Sequence, residues 1–401
     1  MNRRGSSFLA AMLAAMLALT GCYNSRELNE LAIVSGIGID LVPGKEDYKV
    51  TFQIVNPKST PTTVSPGSGL PAIVVISATD RTVFGALRKA SKRATRQLFF
   101  AHTQLVAIGE PLARRGINHV FDIFERSHEL RLNSAALVVR GGSAESLLQM
   151  LSPIESISSL GLVNKVENTA KVWGENRRTD VFGLISGIAG EGDITVNGVM
   201  LPGDIREGRK KSSLEQSDFK GGSIMSGLAV LKEGRLTGWM EGTDARGTQW
   251  LLDEIKETGM DIGVPGASGK LAVNIFHSST GVRVELREGV PVFHVRIREE
   301  GNVSEAGAFV DFSIKEVMDQ VQETLKTQTA QEVRQAFEKA QGMKCDIFNF
   351  GNELKRTHPQ DWQKVMNHWD EAFAQGRLDL HVEAYIRSTG MRTKTYMGQE
   401  N

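Results

Sequence analysis

At 401 residues with 40% hydrophobic content, the chain exceeds the length over which one core keeps growing, so two or three packed domains are expected. Its 47 basic and 47 acidic residues balance, which excludes a bulk polycation of the kind that holds nucleic acid. Eight histidines are scattered and only two cysteines occur, Cys22 and Cys345, so the fold has to rest on packed cores.

Residues 1–21 read as a signal peptide: Arg3 and Arg4, an apolar run from Phe8 to Leu19, then small residues. The run is too short to span a bilayer as a helix, and no apolar run of about 18 residues or more follows it. Leu19-Thr20-Gly21-Cys22 has the form of a bacterial lipobox, whose cysteine sulfur takes a diacylglyceryl group before cleavage. Two acyl chains, at about 0.8 kcal/mol per buried methylene, anchor stably where one binds reversibly. Acylation of Cys22 leaves Cys345 alone and rules out an intramolecular disulfide. Arg3 and Arg4 leave with the leader and no acid does, so the mature chain is two charges negative.

The mature chain opens on a strand-like run, Leu31 to Val34, that passes through Gly36 and Gly38 to Asp40, and a second strand, Tyr48 to Val55, alternates. Asn56 to Pro71 carries four prolines among Ser, Thr and Gly and reads as a surface loop. After a strand at 72–77, Asp80 is the expected N-cap of a helix with Val83, Phe84, Leu87, Ala90 and Ala94 on one face. A strand at 99–108, a helix at 110–126, a strand at 135–140 and a helix from Ser143 follow, and 153–190 reads as helical without a clean period. A strand at 194–201 leads to a polar, basic segment, 202–222, expected as a long loop or linker. Ile224–Lys232 and Arg235–Met240 form a hairpin across Glu233-Gly234, and 247–258 reads as a short helix.

Strands at 271–276, 282–286 and 292–297 read as a three-strand meander. Ser313 to Glu316 has the pattern of a capping box with Phe312 and Val317 as its staple. The helix it opens carries Ile314, Val317, Met318, Val321, Leu325, Val333, Phe337 and Ala340 at helical spacing, to about Gln341. A helix starts near Pro359, and a strand at 378–386 closes the meander sheet. The expected fold class is α+β: three domains of mixed, largely antiparallel sheets packed with helices, behind a lipoprotein signal peptide. Their bounds are 22–190, 191–262 for a small hairpin and helix unit that includes the basic loop, and 263–392 with the long helix 313–341, before a tail at 393–401.

Several blocks resemble one family, the C-subunit lipoproteins of spore germinant receptors, the Ger(x)C family. They are Cys22 with Arg26-Glu27-Leu28 and Leu31 to Asp40; Leu98 to His102 through Gly109-Glu110, Leu130 to Leu132 and Val138 to Gly141; Gly227 to Val230 and Leu236 to Trp239 through Arg246-Gly247 and Trp250-Leu251; and Asp346-Ile347-Phe348-Asn349-Phe350-Gly351 with Pro359, Trp362 and Trp369. No block is specific alone; their order behind a lipobox is. The resemblance implies a three-domain α+β lipoprotein at the outer face of the inner spore membrane, in complex with two integral membrane subunits, A and B. It also implies a part in the germination response to nutrients, without a catalytic activity.

The residues agree with that last expectation. Gly36-Ile37-Gly38 lacks the third glycine of a dinucleotide site, and no phosphate loop, HExxH or GxSxG pattern occurs. No catalytic residue, metal site or cofactor is expected, and Cys345 before an apolar run is expected buried and inert. Two groups are candidate partner or lipid contacts. Arg81, Arg88, Lys89, Lys92, Arg93 and Arg96 fall in an arc of about 140° on the helix predicted after Asp80, at about 100° per residue, a face suited to anionic headgroups or an acidic partner. Glu241, Asp244 and Arg246 lie in a polar loop between Trp239 and Trp250. The plain alternatives are a solvated face for the first and helix-capping acids for the second. The functional rival is a solute-binding lipoprotein, which calls for two α/β lobes with a ligand cleft between them.

Overall fold

A computed structural model describes residues 27–57, 59, 70–190, 192–219, 221–264, 268–390 and 392–395. The signal peptide, Cys22 and most of the proline-rich loop lie outside the described residues. The first half holds β1 (Leu31–Leu41), β2 (Tyr48–Val55), β3 (Ile73–Asp80), α1 (Val83–Ala90), β4 (Gln97–Phe99) and β5 (Leu105–Gly109). It continues with α2 (Glu110–Arg115), α3 (Asn118–Arg126), β6 (Ala135–Val139), α4 (Ala144–Gln149), α5 (Ser158–Val172), α6 (Val181–Ala189) and β7 (Ile194–Met200). A short α7 (Ile205–Gly208) precedes β8 (Ile224–Lys232) and β9 (Arg235–Met240).

These strands form one nine-stranded sheet in the order β3-β2-β1-β5-β6-β7-β8-β9, with β4 also pairing β1. The central run β1-β5-β6-β7 is parallel and its flanks are antiparallel. Parallel strands need helical crossovers, and these cover both faces. Val106, Ile108, Ala136 and Val138 point to the core shared with α1, α2, α3 and α6, while Leu105, Ala107, Leu137 and Val139 point to the core shared with α4 and α5.

Several local expectations shift. Thr82, not Asp80, caps α1, its hydroxyl accepting the Gly85 N–H, and α1 ends at Ala90, well short of Arg96. The strand expected at 99–108 is two, β4 and β5, separated by a turn. The helix expected at 110–126 breaks at Gly116, whose φ of 123° no side-chain-bearing residue adopts easily. The hairpin turn falls where expected, with Glu233 and Gly234 both at positive φ.

The second half holds α8 (Thr243–Leu251), β10 (Thr258–Gly263), β11 (Lys270–Arg287), β12 (Val290–Ala306) and α9 (Lys315–Met343). After these come α10 (Phe350–Thr357), α11 (Pro359–Val365), α12 (Trp369–Gln375) and β13 (Arg377–Ser388). Its sheet runs β10-β11-β12-β13, antiparallel except that β13 pairs parallel with β12. The expected three-strand meander is thus two long strands: β11 absorbs two of its segments, because Ser278 to Gly281 stay paired to Ile297–Glu299 and Arg296 rather than turning. The described residues form two sheets, and the hairpin β8–β9 extends the first of them.

The second sheet buries one face only. Phe293, Val295, Ile297 and Val303 alternate inward against α9, α10 and α12, and Phe293 stacks on Phe350 with centroids 4.6 Å apart. The capping box does not form: α9 starts at Lys315 without a side-chain cap, and Ser313 bonds Asp311 instead. Trp362 and Trp369 sit on separate short helices, their rings 5.3 Å apart edge to face. No helix among the described residues is long and apolar enough to cross a membrane.

Candidate interaction sites

The six basic residues of the first candidate group do not share one helical arc, because α1 is two turns long. Arg81 lies before its start, and Lys89 reaches back to Asp80 at 2.7 Å, holding that carboxyl below its usual range. Arg88 lies over the Phe84 ring at 4.9 Å. Lys92, Arg93 and Arg96 follow the helix, in the turns that return the chain to β4. There Arg93 and Arg96 line a shallow groove of about 280 Å³ with Leu31, Val55, Val74 and Ile76. This is the end of the sheet where the described chain begins, since Leu31 pairs with Gln97.

The second group is engaged within the chain. Glu241 pairs with Arg140 at 2.7 Å, and Asp244 with Lys339 of α9 at 2.6 Å. Arg246 is buried, and its guanidinium donates to both carboxylate oxygens of Glu332, at 2.8 and 2.6 Å, and to the Gly259 carbonyl at 3.3 Å. The backbone approach is close: a Cβ on Gly247 would stand 2.2 Å from the Glu332 carbonyl oxygen. These three residues thus clamp α8 between the end of the first sheet and α9.

Beside that clamp lies a carboxyl the sequence reading passed over. Glu299 of β12 is fully buried, accepts one hydrogen bond from Thr329 Oγ1 at 2.9 Å, and keeps Oε2 without a partner. Burial, with the neighbouring Glu332 charge, pushes its pKa up to about 8. Period-two alternation from Phe293 through Ile297 already puts Glu299 on the inner face, and Glu332 falls on the inner helical stripe with Leu325, Thr329 and Ala336.

A groove of about 630 Å³ lies on the α5 face of the first sheet. Met150, Leu162, Phe219 and Ile224 give it apolar walls. Lys165 in its floor donates to the Ser223 carbonyl at 2.5 Å and to Ser223 Oγ at 3.0 Å, and burial lowers its pKa. The segment 202–222 is no free linker: Gly208 packs on Met150, its carbonyl accepts the Leu151 N–H, and Arg209 donates to Ser146 Oγ. Nothing in its polar composition signals that docking; only Phe219 hints at it.

Asp346 organises the block at 346–351. Its buried carboxylate accepts the N–H groups of Phe348, Phe350 and Gly351 and, at 3.0 Å, the Trp369 indole N–H. Asn349 takes the left-handed conformation that the turn requires. Cys345 beside it is buried, and desolvation together with the nearby Asp193 raises its thiol to about 11, so it is no poised nucleophile. Among the described residues no group of three or more His, Cys, Asp or Glu is placed to hold a metal ion.

Comparison with known proteins accounts for both halves. The family model described as spore germination protein N-terminal domain matches residues 24–200, and that described as spore germination B3/GerAC like, C-terminal, matches residues 226–390. Spore germination protein KC of Bacillus subtilis (strain 168) is 30% identical over 387 residues, 95% of each chain. Spore germination protein B3 of the same organism is 24% identical over 407 residues, 96% of this chain and 98% of that one. The crystal structure of the GerBC protein superimposes with a TM-score of 0.57 at 19% identity, covering 88% of this chain and 97% of that chain, which shows a shared fold.

Proposed function

This chain belongs to the GerAC-like C-subunit family of spore germination proteins, and on that premise we propose that it is a lipid-anchored, non-catalytic subunit of a nutrient germinant receptor. In this reading Cys22 carries the diacylglyceryl anchor, the folded body sits at the outer face of the inner spore membrane, and its partners are the integral membrane A and B subunits. The observation that carries it is similarity along both halves of the chain behind Leu19-Thr20-Gly21-Cys22. The rival, a solute-binding lipoprotein, needs a cleft between two lobes. Here the 630 Å³ groove is lined by residues of the first sheet's module.

The test is a Cys22→Ala variant expressed with its A and B subunits in spores. The expected outcome is loss of the protein from the membrane fraction and impaired nutrient germination, with nutrient-independent germination intact. A variant that stays on the membrane and supports normal nutrient germination would sink the lipid-anchor reading.

A further inference from the structure

The strands fix which end of the first sheet the N-terminus leaves. β1 begins there, β2 ends there and β3 begins there, because Leu31 pairs with Gln97 and Val55 with Ile73. The turns after α1 close the same end, which therefore carries Lys92, Arg93 and Arg96. None of these three forms an ion pair among the described residues, unlike Lys89, which Asp80 holds. Glu27 and Glu30 of the leading segment are exposed at this end and make no ion pair with the three. Leu70 and Val74, 55% and 48% exposed, add apolar surface beside the cations.

We propose that this end, through Lys92, Arg93 and Arg96, lies against anionic lipid headgroups, orienting the body on the bilayer; the inference rests on the Cys22 anchor proposed above. Eight residues lie between Cys22 and Leu31, so the tether reaches no further than about 30 Å even when fully extended. An end held that close to its own acyl chains meets headgroups more often than any acidic protein surface. Juxtamembrane lysines and arginines gain attraction to anionic lipid within about one Debye length. Cations together with exposed aliphatic side chains match the polar and apolar layers of a bilayer surface.

The experiment uses the full acylated protein, reconstituted in vesicles of phosphatidylcholine or of equimolar phosphatidylcholine and phosphatidylglycerol. Flotation reports the anchor, and reductive methylation of lysines read by mass spectrometry reports the face. Lys92 labelling is expected to fall about threefold in the anionic vesicles and to recover in high salt, while exposed Lys211, beyond the far end of β7, is unchanged. Arg93→Glu with Arg96→Glu is expected to restore Lys92 labelling. Flotation with equal Lys92 labelling in both vesicles overturns the inference and leaves the anchor standing. Protection that needs the A and B subunits, in either lipid, overturns it in favour of a protein contact. Failure to float with either vesicle overturns inference and anchor together.

Discussion

The two sheets solve the burial problem differently. The first is covered by helices on both faces, so β5 and β6 are buried at every position and their sequences, LVAIG and AALVV, are continuously apolar. The second covers one face and leaves the other charged, where Arg298, Glu300 and Arg387 pair across β12 and β13. Because its inner face meets α9 and α8 where the two halves join, the second sheet also buries charges: Arg246, Glu332 and Glu299. Among the described residues the two-sided sheet buries one charged group, Asp40 of β1, held by the Ala144 and Glu145 N–H groups, whereas the junction gathers three, Arg246 and Glu332 as a pair with Glu299 beside them.

Three changes at that junction test the contrast. The largest effect is expected from Glu332→Ala, which strands the Arg246 guanidinium in a dry site. Removal of one member of a buried pair costs about 3–5 kcal/mol, measured by denaturant unfolding. A cost below about 1 kcal/mol would mean that the pair is hydrated and the junction open. Gly247→Ala is next: its methyl group meets the Glu332 backbone carbonyl, so α8 has to withdraw from α9. About 1–3 kcal/mol is expected in the same assay, and an unchanged midpoint would show that the crossing is loose.

The third effect is a slope with pH rather than a fixed cost, the smallest of the three per unit of pH. Unfolded, Glu299 ionises near its ordinary value of about 4.3; folded, it stays protonated to about 8. Between those values the unfolded state binds fewer protons, so this group's contribution is fully present at low pH and is lost as pH rises, by up to about 1.4 kcal/mol per unit. Thr329 and Glu332 face Glu299 directly. Glu299→Gln is expected to flatten that part of the stability profile between about pH 5 and 8, and an unchanged slope would place the titration elsewhere, Asp193 with its raised pKa of about 7 being the first group to examine.

The one-sided half was the easier to read. Alternation in β12 and the stripe Val321, Leu325, Val333, Phe337 and Ala340 on α9 are periodic because solvent and core alternate along them. The two-sided half lacks that signal, and its segment boundaries moved, as at Gly116; in the one-sided half the period held while the expected meander merged into β11 and β12. The candidate contacts divided in the same way. Lys92, Arg93 and Arg96 remain at a surface, whereas Glu241, Asp244 and Arg246 are spent on intramolecular pairs.

By itself the sequence determined the Leu19-Thr20-Gly21-Cys22 motif, most of the strand and helix positions, the hairpin turn at Glu233-Gly234 and the family resemblance, since each depends on residues close together in the chain or on short ordered blocks. Tertiary structure alone decided that β8 and β9 extend the first sheet, that the 202–222 segment roofs a groove, and that a loop arginine is a buried ion-pair partner. Those outcomes depend on partners far apart in sequence: Arg246 finds Glu332 86 residues on. Long-range pairing leaves no local period, because an arginine bound for a solvated loop and one bound for a buried carboxylate look the same until the chain closes around them.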